Sequence, residues 1–240
     1  MSNLSKGVRS RIWSLQTQIG KGILDGTHDP EKFTELLQDF LENKGGKKRC
    51  VSRKAEMIGA SGYEDLLAEW SRFYKEVFGI EADFTDLQIP EKQDGFNWLI
   101  VMLAGLTPNK LFAKCEERFA SWCYTYDIET IKSVRTADKT YAVWVRDNIE
   151  ADKENKNKSA NDCDKEGIKG ITLEERLLLE LFYHWRTGKH LDSINVTLCS
   201  GSRYPYGHVP NVCWHGLKVH VNYYAPDYCY ECLRARSVSL

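Results

Sequence analysis

The stretch "VCWHGLKVHVNYY", residues 212 to 224, alternates between two kinds of side chain and decides how the C-terminal part of the chain folds. In a β-strand, successive side chains point to opposite faces of the sheet. The outward set of alternate positions mixes Cys, His, Lys, Asn and Tyr. We expect a hairpin whose turn spans 215–218, with Gly216 at a positive φ. The apolar set predicts a core-facing row, formed by Val212, Trp214, Val219, Val221 and Tyr223.

The chain before this hairpin predicts a mixture of helices and strands, which is typical of an α+β fold. A capping box, Thr172-x-x-Glu175, opens a helix that Gly188 ends. On this helix we expect Glu174 and Glu175 to lie on a solvated face, because basic residues stand nearby. The helix dipole favours two histidines near its C-terminus, His184 and His190. Apolar periodicity predicts strands at 96–105, 140–147 and 233–239 and a helix that starts at Thr107-Pro108. The charged segment 150–167 is predicted to be a loop or a frayed helix end.

Further helices are predicted before residue 82, at about 8–23, from Asp29-Pro30 onward, and at 64–78. The basic segment 44–54 is interpreted as a solvated linker, because no aromatic residues that could stack on bases are interleaved with its charges. We therefore divide the chain into an N-terminal helical segment, 1–82, and a second domain, 83–240.

Composition excludes several classes of function. Lys and Arg (33) nearly balance Asp and Glu (34), so the chain has no global field that would attract nucleic acid or a membrane surface. The longest apolar run, 98–106, is too short to span a bilayer, and the first residues lack the apolar stretch of a secretory signal. The 8 cysteines stand at irregular spacings, which favours reduced thiols. We expect a cytoplasmic protein without a membrane partner, and nucleic acid is a disfavoured partner.

Catalytic motifs are not apparent in the sequence. It has no Gly-rich phosphate loop, His-Glu-x-x-His, Gly-x-Ser-x-Gly or dinucleotide fingerprint, so we expect no enzyme, no cofactor and no metal. Two other modules stay open: a zinc-stapled interaction module that uses Cys213, Cys229, Cys232 and a nearby His, and a nucleic-acid-binding module that uses 44–54. A catalytic cluster assembled only by the fold is a third alternative.

The last part of the chain has an unusual composition. Between Arg203 and Leu240 lie 6 of the 12 Tyr, 3 of the 6 His and 3 of the 8 Cys, with only one Lys, one Asp and one Glu. Tyr supplies large, rigid contact area, and this enrichment matches recognition surfaces. Ordinary half-buried tyrosines of an antiparallel sheet are the alternative interpretation.

Several short motifs connect the chain to a known group. They are Ile171-Thr-Leu-Glu-Glu-Arg-Leu, Thr187-Gly-Lys-His-Leu-Asp192, Leu198-Cys-Ser-Gly-Ser-Arg203 and Leu233-Arg-Ala-Arg236. With these motifs the chain from about Phe84 onward resembles predicted proteins of unassigned function from uncultured, small-genome bacteria. Its tail, about 203–233, is similar to the variable region of proteins diversified by a retroelement, in which a reverse transcriptase rewrites adenines of a template copy.

This resemblance implies a C-type lectin-like domain with short antiparallel strands and two helices, which presents variable residues to an unknown protein or other macromolecule. Randomised adenines in an Asn codon yield any residue except Glu, Lys, Gln, Met and Trp, so we expect Trp214, Lys218 and Glu231 to be fixed. The signatures of calcium-dependent sugar binding are absent, so neither calcium nor sugar is expected. The ligand and the oligomeric state stay open. The expected contact residues are Tyr206, His208, Asn211, Cys213, His215, His220, Asn222, Tyr224, Ala225, Tyr228, Tyr230 and Cys232.

Overall fold

The computed structural model of the protein describes residues 62–125 and 127–240. The helices predicted at 8–23 and from residue 29 onward, and the basic segment 44–54, lie outside these residues. The described part has a mixed α+β structure. Its α-helices are α1 (Tyr63–Phe73), α2 (Pro108–Arg118), α3 (Ala160–Lys165) and α4 (Leu173–Thr187). A π-helical turn, Tyr74–Phe78, continues α1, and a 3-10 turn spans Lys153–Asn155.

The strands are short and form three sheets. They are β1 (Trp98–Met102), β2 (Ser121–Cys123), β3 (Lys132–Ser133), β4 (Tyr141–Val145), β5 (Val196–Leu198), β6 (Ser202–Arg203), β7 (Val209–His215), β8 (Lys218–Tyr224), β9 (Leu233–Ala235) and β10 (Val238–Ser239). Their order is β1-β4-β10 in one sheet, β2-β8-β7-β5-β9 in the second and β3-β6 in the third. The pairs are antiparallel except for β2 with β8 and β5 with β9, which are parallel.

The predicted closing strand at 233–239 is two strands that belong to different sheets. β9 pairs with β5, whereas β10 pairs with β4 on the side opposite to β1. The chain leaves one sheet for the other at Arg236, whose side chain is buried and donates to the backbone oxygens of Asn148 and Ile149. An alternating strand pattern does not reveal this change, because a buried arginine occupies the position where an outward residue is expected.

Helix α1 covers the free edge of β1. The indole nitrogen of Trp70 donates to the Leu99 oxygen at 3.2 Å, and the Tyr74 hydroxyl donates to the Val101 oxygen at 2.6 Å. Strand edges carry unpaired backbone groups that template unwanted pairing, and these two side chains satisfy two oxygens of this edge. Burial strongly raises the pKa of Tyr74, so its hydroxyl keeps its proton for this hydrogen bond.

The same helix shares the main hydrophobic core with the rest of the described chain. The rings of Trp70 and Phe182 stack with their centroids 4.1 Å apart, and Phe73 lies edge-on to Phe182 at 5.2 Å. Residues on both sides of the boundary predicted at residue 82 therefore contribute to one core. How residues 1–61 are organised stays a prediction.

Helix α4 has the predicted capping box and a left-handed Gly188 at its C-terminus. The expected solvated face is wrong, because Glu174 and Glu175 are both buried. The Arg135 guanidinium donates two hydrogen bonds, of 2.6 and 2.8 Å, to the Glu175 carboxylate. The Ser133 hydroxyl donates to Glu174 at 2.7 Å. These partners lie about forty positions away in the chain, so the helical pattern alone could not predict them.

The charged segment 150–167, predicted to be a loop or a frayed helix end, has polar side chains packed inside the protein. It contains α3, which begins with a capping box at Ser159. The Asp152 carboxylate is buried and accepts from the Ser237 backbone nitrogen at 2.7 Å, and the Asn155 amide donates to the Ala235 oxygen at 3.2 Å. The charge-rich composition conceals these few inward polar side chains.

The carboxylate of Asp192 joins several distant segments of the protein. Its Oδ1 accepts from the Ala151 nitrogen at 2.7 Å and from Arg236 at 3.1 Å. Its Oδ2 accepts from Arg176 Nε at 3.0 Å and from the Thr197 hydroxyl. Asp192 is fully buried and adopts a left-handed φ of 53°. One side chain therefore connects the 150–167 segment, α4, β5 and the crossing between β9 and β10.

Charge is balanced around Asp192. Arg176 also donates to Glu180 at 2.7 Å. The side chains of Arg176, Glu180, Asp192 and Arg236 are all fully buried. Glu180 Oε1 lies 2.8 Å from Nδ1 of His190, which is largely buried. Removing one partner of a buried ion pair leaves an uncompensated charge, which costs far more than an exposed pair is worth.

We predict that Asp192→Asn lowers the free energy of unfolding by about 3–5 kcal/mol, because two buried arginines lose their shared anion. Asn tolerates the left-handed backbone as well as Asp does, so the substitution isolates the charge. Urea unfolding would measure the loss. Asp227→Asn, at an exposed turn, is the control and should change stability by less than about 0.5 kcal/mol. A loss below about 1 kcal/mol for Asp192→Asn would contradict the role assigned to the network.

Candidate ligand-binding surface

The predicted hairpin consists of β7 and β8. Val212 pairs with Val221, and Trp214 pairs with Val219. The three valines are fully buried and Trp214 is partly buried against the main core, as the alternation predicts. The prediction for Tyr223 is wrong, because its ring is only half-buried and contacts other aromatic rings near the surface. The strand extends beyond the core at this end, so the apolar row has no core left to face.

The turn of the hairpin contains just two residues between His215 and Lys218. Gly216 has a φ of 56°, as predicted, and Leu217 has a φ of 65°. Two successive positive φ values match the twist of the strands, but a residue with a Cβ is strained in this region. The Leu217 side chain is 70% exposed, so burial does not offset that strain.

The outward row of the hairpin is accessible around the turn. His215 is exposed, and Cys213, His220 and Asn222 are half-buried. Cys213 pairs with His220 across the strands, and the rings of His215 and His220 lie 6.1 Å apart. Partial burial, together with the neighbouring His215 and Lys218, lowers the pKa of His220. His220 is therefore mainly neutral at pH 7 and can both donate and accept a hydrogen bond.

The prediction that Asn211 contacts ligand is wrong, because its side chain is only 2% exposed. Asn211 pairs with Leu198 of β5, and a second, smaller core lies beside it. That core consists of Ala160, Leu198, Val209 and Leu233. Alternation identifies the face on which Asn211 lies but not what covers that face, so this residue is removed from the candidate surface.

Three of the predicted tyrosines form one cluster at the end of β8 and in the loop that follows it. The rings of Tyr224 and Tyr228 stack at 4.7 Å, and Tyr230 lies 5.7 Å from each of them. Tyr228 is exposed, whereas the other two are half-buried. Burial and the hydrogen bond to Tyr224 raise the pKa of Tyr230, so the Tyr230 hydroxyl keeps its proton at neutral pH.

The remaining predicted residues lie elsewhere on the hairpin and its loops. Tyr206 is 92% exposed, and His208 packs against Tyr223 with ring centroids 4.9 Å apart. Ala225 is exposed, and Cys232 is half-buried where its oxygen accepts from Val196. Tyr223 and Tyr224 are successive residues on opposite faces of β8, so the predicted residues are divided between two faces and do not form one patch.

Two exposed aromatic residues of this region were missed in the sequence. Trp122 pairs with His220 across β2 and β8, with ring centroids 5.4 Å apart, and Tyr124 packs edge-on against Tyr223 at 4.7 Å. The Trp-Cys-Tyr alternation at 122–124 is the signal that could have revealed them. A strand of three residues is too short for this alternation to stand out. Cys123, between them, packs against the main core.

Metal ligands are not assembled in this region. Within 62–125 and 127–240, no group of three or more His, Cys, Asp or Glu side chains is arranged to hold a metal ion. Cys213, Cys229 and Cys232 are free thiols. The zinc-stapled alternative therefore finds no ligand group in the part of the chain that the structure describes.

Comparisons with known proteins identify no relative of this chain. No protein-family model, no curated protein and no solved structure matches it. Among the helices that the structure describes, none is both long and apolar enough to cross a membrane.

We predict that Leu217→Gly raises the free energy of unfolding by about 1 kcal/mol, because glycine relieves the left-handed strain and little packing is lost. Thermal and urea unfolding would measure the gain. Gly216→Ala is the matched variant and should lower stability by about the same amount. Equal stability of all three proteins would show that the turn carries no strain.

We also predict that the two rows of the hairpin respond differently to substitution. His215→Tyr should change the free energy of unfolding by less than about 0.5 kcal/mol, because the site is exposed. Val221→Ala should cost about 2 kcal/mol, because it leaves a cavity in a closed core. Urea unfolding of both variants gives the comparison, and similar losses would contradict the separation into scaffold and surface.

Proposed function

We propose that this chain is a non-enzymatic binding protein whose C-terminal surface, about 203–233, is diversified by a retroelement to recognise variable macromolecular targets. In this proposal the domain is of the C-type lectin-like kind. The elements from β1 onward, which are the helices α2 and α4 with short, mainly antiparallel strands between and after them, support this. The ligand contacts a rigid surface and no bond is made or broken.

The observation that carries the proposal is the division of the hairpin into two rows. The valines at 212, 219 and 221 are completely buried, while the row behind them at 213, 215, 220 and 222 reaches the surface. Side chains in the second row can change without disturbing the first, because they lie on opposite faces of the strands. A surface of this kind accepts many sequences on one scaffold.

The chemistry of the exposed residues suits recognition. Tyr206 and Tyr228 present large, rigid rings at low entropic cost, and His215, His220 and Asn222 supply adaptable hydrogen bonds. Tyrosine is one of the residue types enriched at the hot spots of protein interfaces. Of the residues first predicted to make contact, eleven keep this role and Asn211 loses it.

The hydrogen bonds that fix the hairpin in place also support binding without chemistry. The Trp214 backbone nitrogen donates to the backbone oxygen of Asp192 at 3.0 Å, so the residue that carries the central buried carboxylate also holds β7 next to the turn. The charged side chains of that network pair with one another inside the protein, and this arrangement stabilises the fold rather than meeting a substrate.

Sequencing the DNA that flanks the gene tests the proposal. We expect a near-identical, non-coding copy of the bases that encode residues 203–233, which differs only where the copy has adenines, and a reverse-transcriptase gene close to it. Codons for Trp214, Lys218 and Glu231 should be the same in both copies. Flanking DNA with neither the copy nor the reverse transcriptase would refute diversification by a retroelement.

A further inference from the structure

Strand β2 is an edge strand with one unpaired side. It pairs in parallel with β8 at one end of the five-stranded sheet, and no strand among the described residues pairs with its other side. Val219 donates to the Ala120 oxygen and Tyr124 donates to the Val221 oxygen, both at 3.0 Å. Backbone groups alternate in direction along a strand, so those of Ser121 and Cys123 point away from β8.

A continuous file of rings follows this edge. Neighbouring ring centroids in the file are 4.7 to 6.4 Å apart. Its members, in order, are Tyr204, Tyr223, Tyr124, Trp122, His220 and His215. Trp122 and His220 lie on one face of the sheet and Tyr223 on the other, so Tyr124, which contacts both Trp122 and Tyr223, marks the point where the file passes around the edge.

The surface of the file is aromatic and carries little charge. Trp122 and Tyr124 are 40% and 57% exposed, which is high for large rings. The ring file contains no Lys, Arg, Asp or Glu, and Lys218 is the nearest charged residue along β8. Nucleic acid requires cations for its phosphates, so this surface does not suit it.

We propose that an extended peptide segment of a partner protein adds to β2 and lays its side chains along the ring file. The outward backbone groups of Ser121 and Cys123 would bond the peptide's main chain, and the rings would contact its alternate side chains, which is strand addition to an exposed edge. This inference rests on the proposed function, because four rings of the file belong to the C-terminal surface. It adds Trp122 and Tyr124 as fixed anchors outside the diversified segment.

The test uses the full chain and random, phage-displayed peptides of about eight residues, which span roughly 26 Å when extended. Peptides enriched on the protein are synthesised, and their Kd is measured by fluorescence anisotropy. Trp122→Ala should raise the Kd by at least about tenfold, because a central aromatic anchor is lost. Tyr63→Ala removes a comparably exposed ring on α1 and should leave the Kd unchanged.

A second measurement leaves the protein unaltered, so a folding defect cannot imitate its result. Each peptide is made in two forms, N-methylated at alternate residues in one register or in the other. Only one register places peptide N–H groups against β2, so one form should lose at least about tenfold in affinity and the other should bind as before. Equal behaviour of the two forms would overturn strand addition, and so would a selection that yields no peptide.

The outcomes also separate this inference from the proposed function. Peptides whose binding depends on Tyr228 and is unaffected by Trp122→Ala would place recognition at the other tyrosine cluster; the proposed function would stand and this inference would fall. The opposite result is that peptides bind through Trp122 and show the expected dependence on N-methylation, while the flanking DNA lacks the adenine-specific copy. In that case the inference would stand and diversification by a retroelement would be refuted.

Discussion

The structure depends on the burial of one carboxylate, that of Asp192, among partners from distant parts of the chain. A buried anion is tolerated only when hydrogen bonds and opposite charges surround it. Ala151, Arg176, Thr197 and Arg236 meet this requirement together. The charge can be satisfied only when helix α4, the two main sheets and the 150–167 segment occupy their native positions, so the interaction selects one arrangement as well as stabilising it.

That arrangement explains why the far end of the protein can be both rigid and changeable. The hairpin is held next to its turn through the Trp214 backbone and along its inner face by the valines, and neither support involves the outward side chains. Beyond the core, the strand ends in two successive tyrosines that lie on opposite faces and begin two different aromatic groups. In the proposed function, ligand specificity belongs to these outer groups and stability belongs to the inner ones.

Local signals in the sequence predicted the capped helix, the hairpin turn and the buried valine row, because each depends on residues within a few positions of one another. Partners distant in sequence decided what was missed. Glu175 is buried because Arg135 reaches it, and Asn211 is covered because β5 pairs beside it. Trp122 and Tyr124 escaped notice because a three-residue strand gives too short a pattern. For the same reason Glu174 and Glu175 were predicted to be solvated, and 150–167 to be a loop or a frayed helix end, since composition does not show which few polar groups are buried.

Helix α1 places Trp70 and Tyr74 against the outer edge of β1, and this has a consequence for how the protein can be shortened. A fragment that begins at residue 83 would lose both donors and leave five apolar residues, Trp98–Met102, with an open hydrogen-bonding side. Such a strand recruits copies of itself. By covering this edge, helix α1 opposes fibre formation, so any recombinant fragment of the domain should begin before the helix.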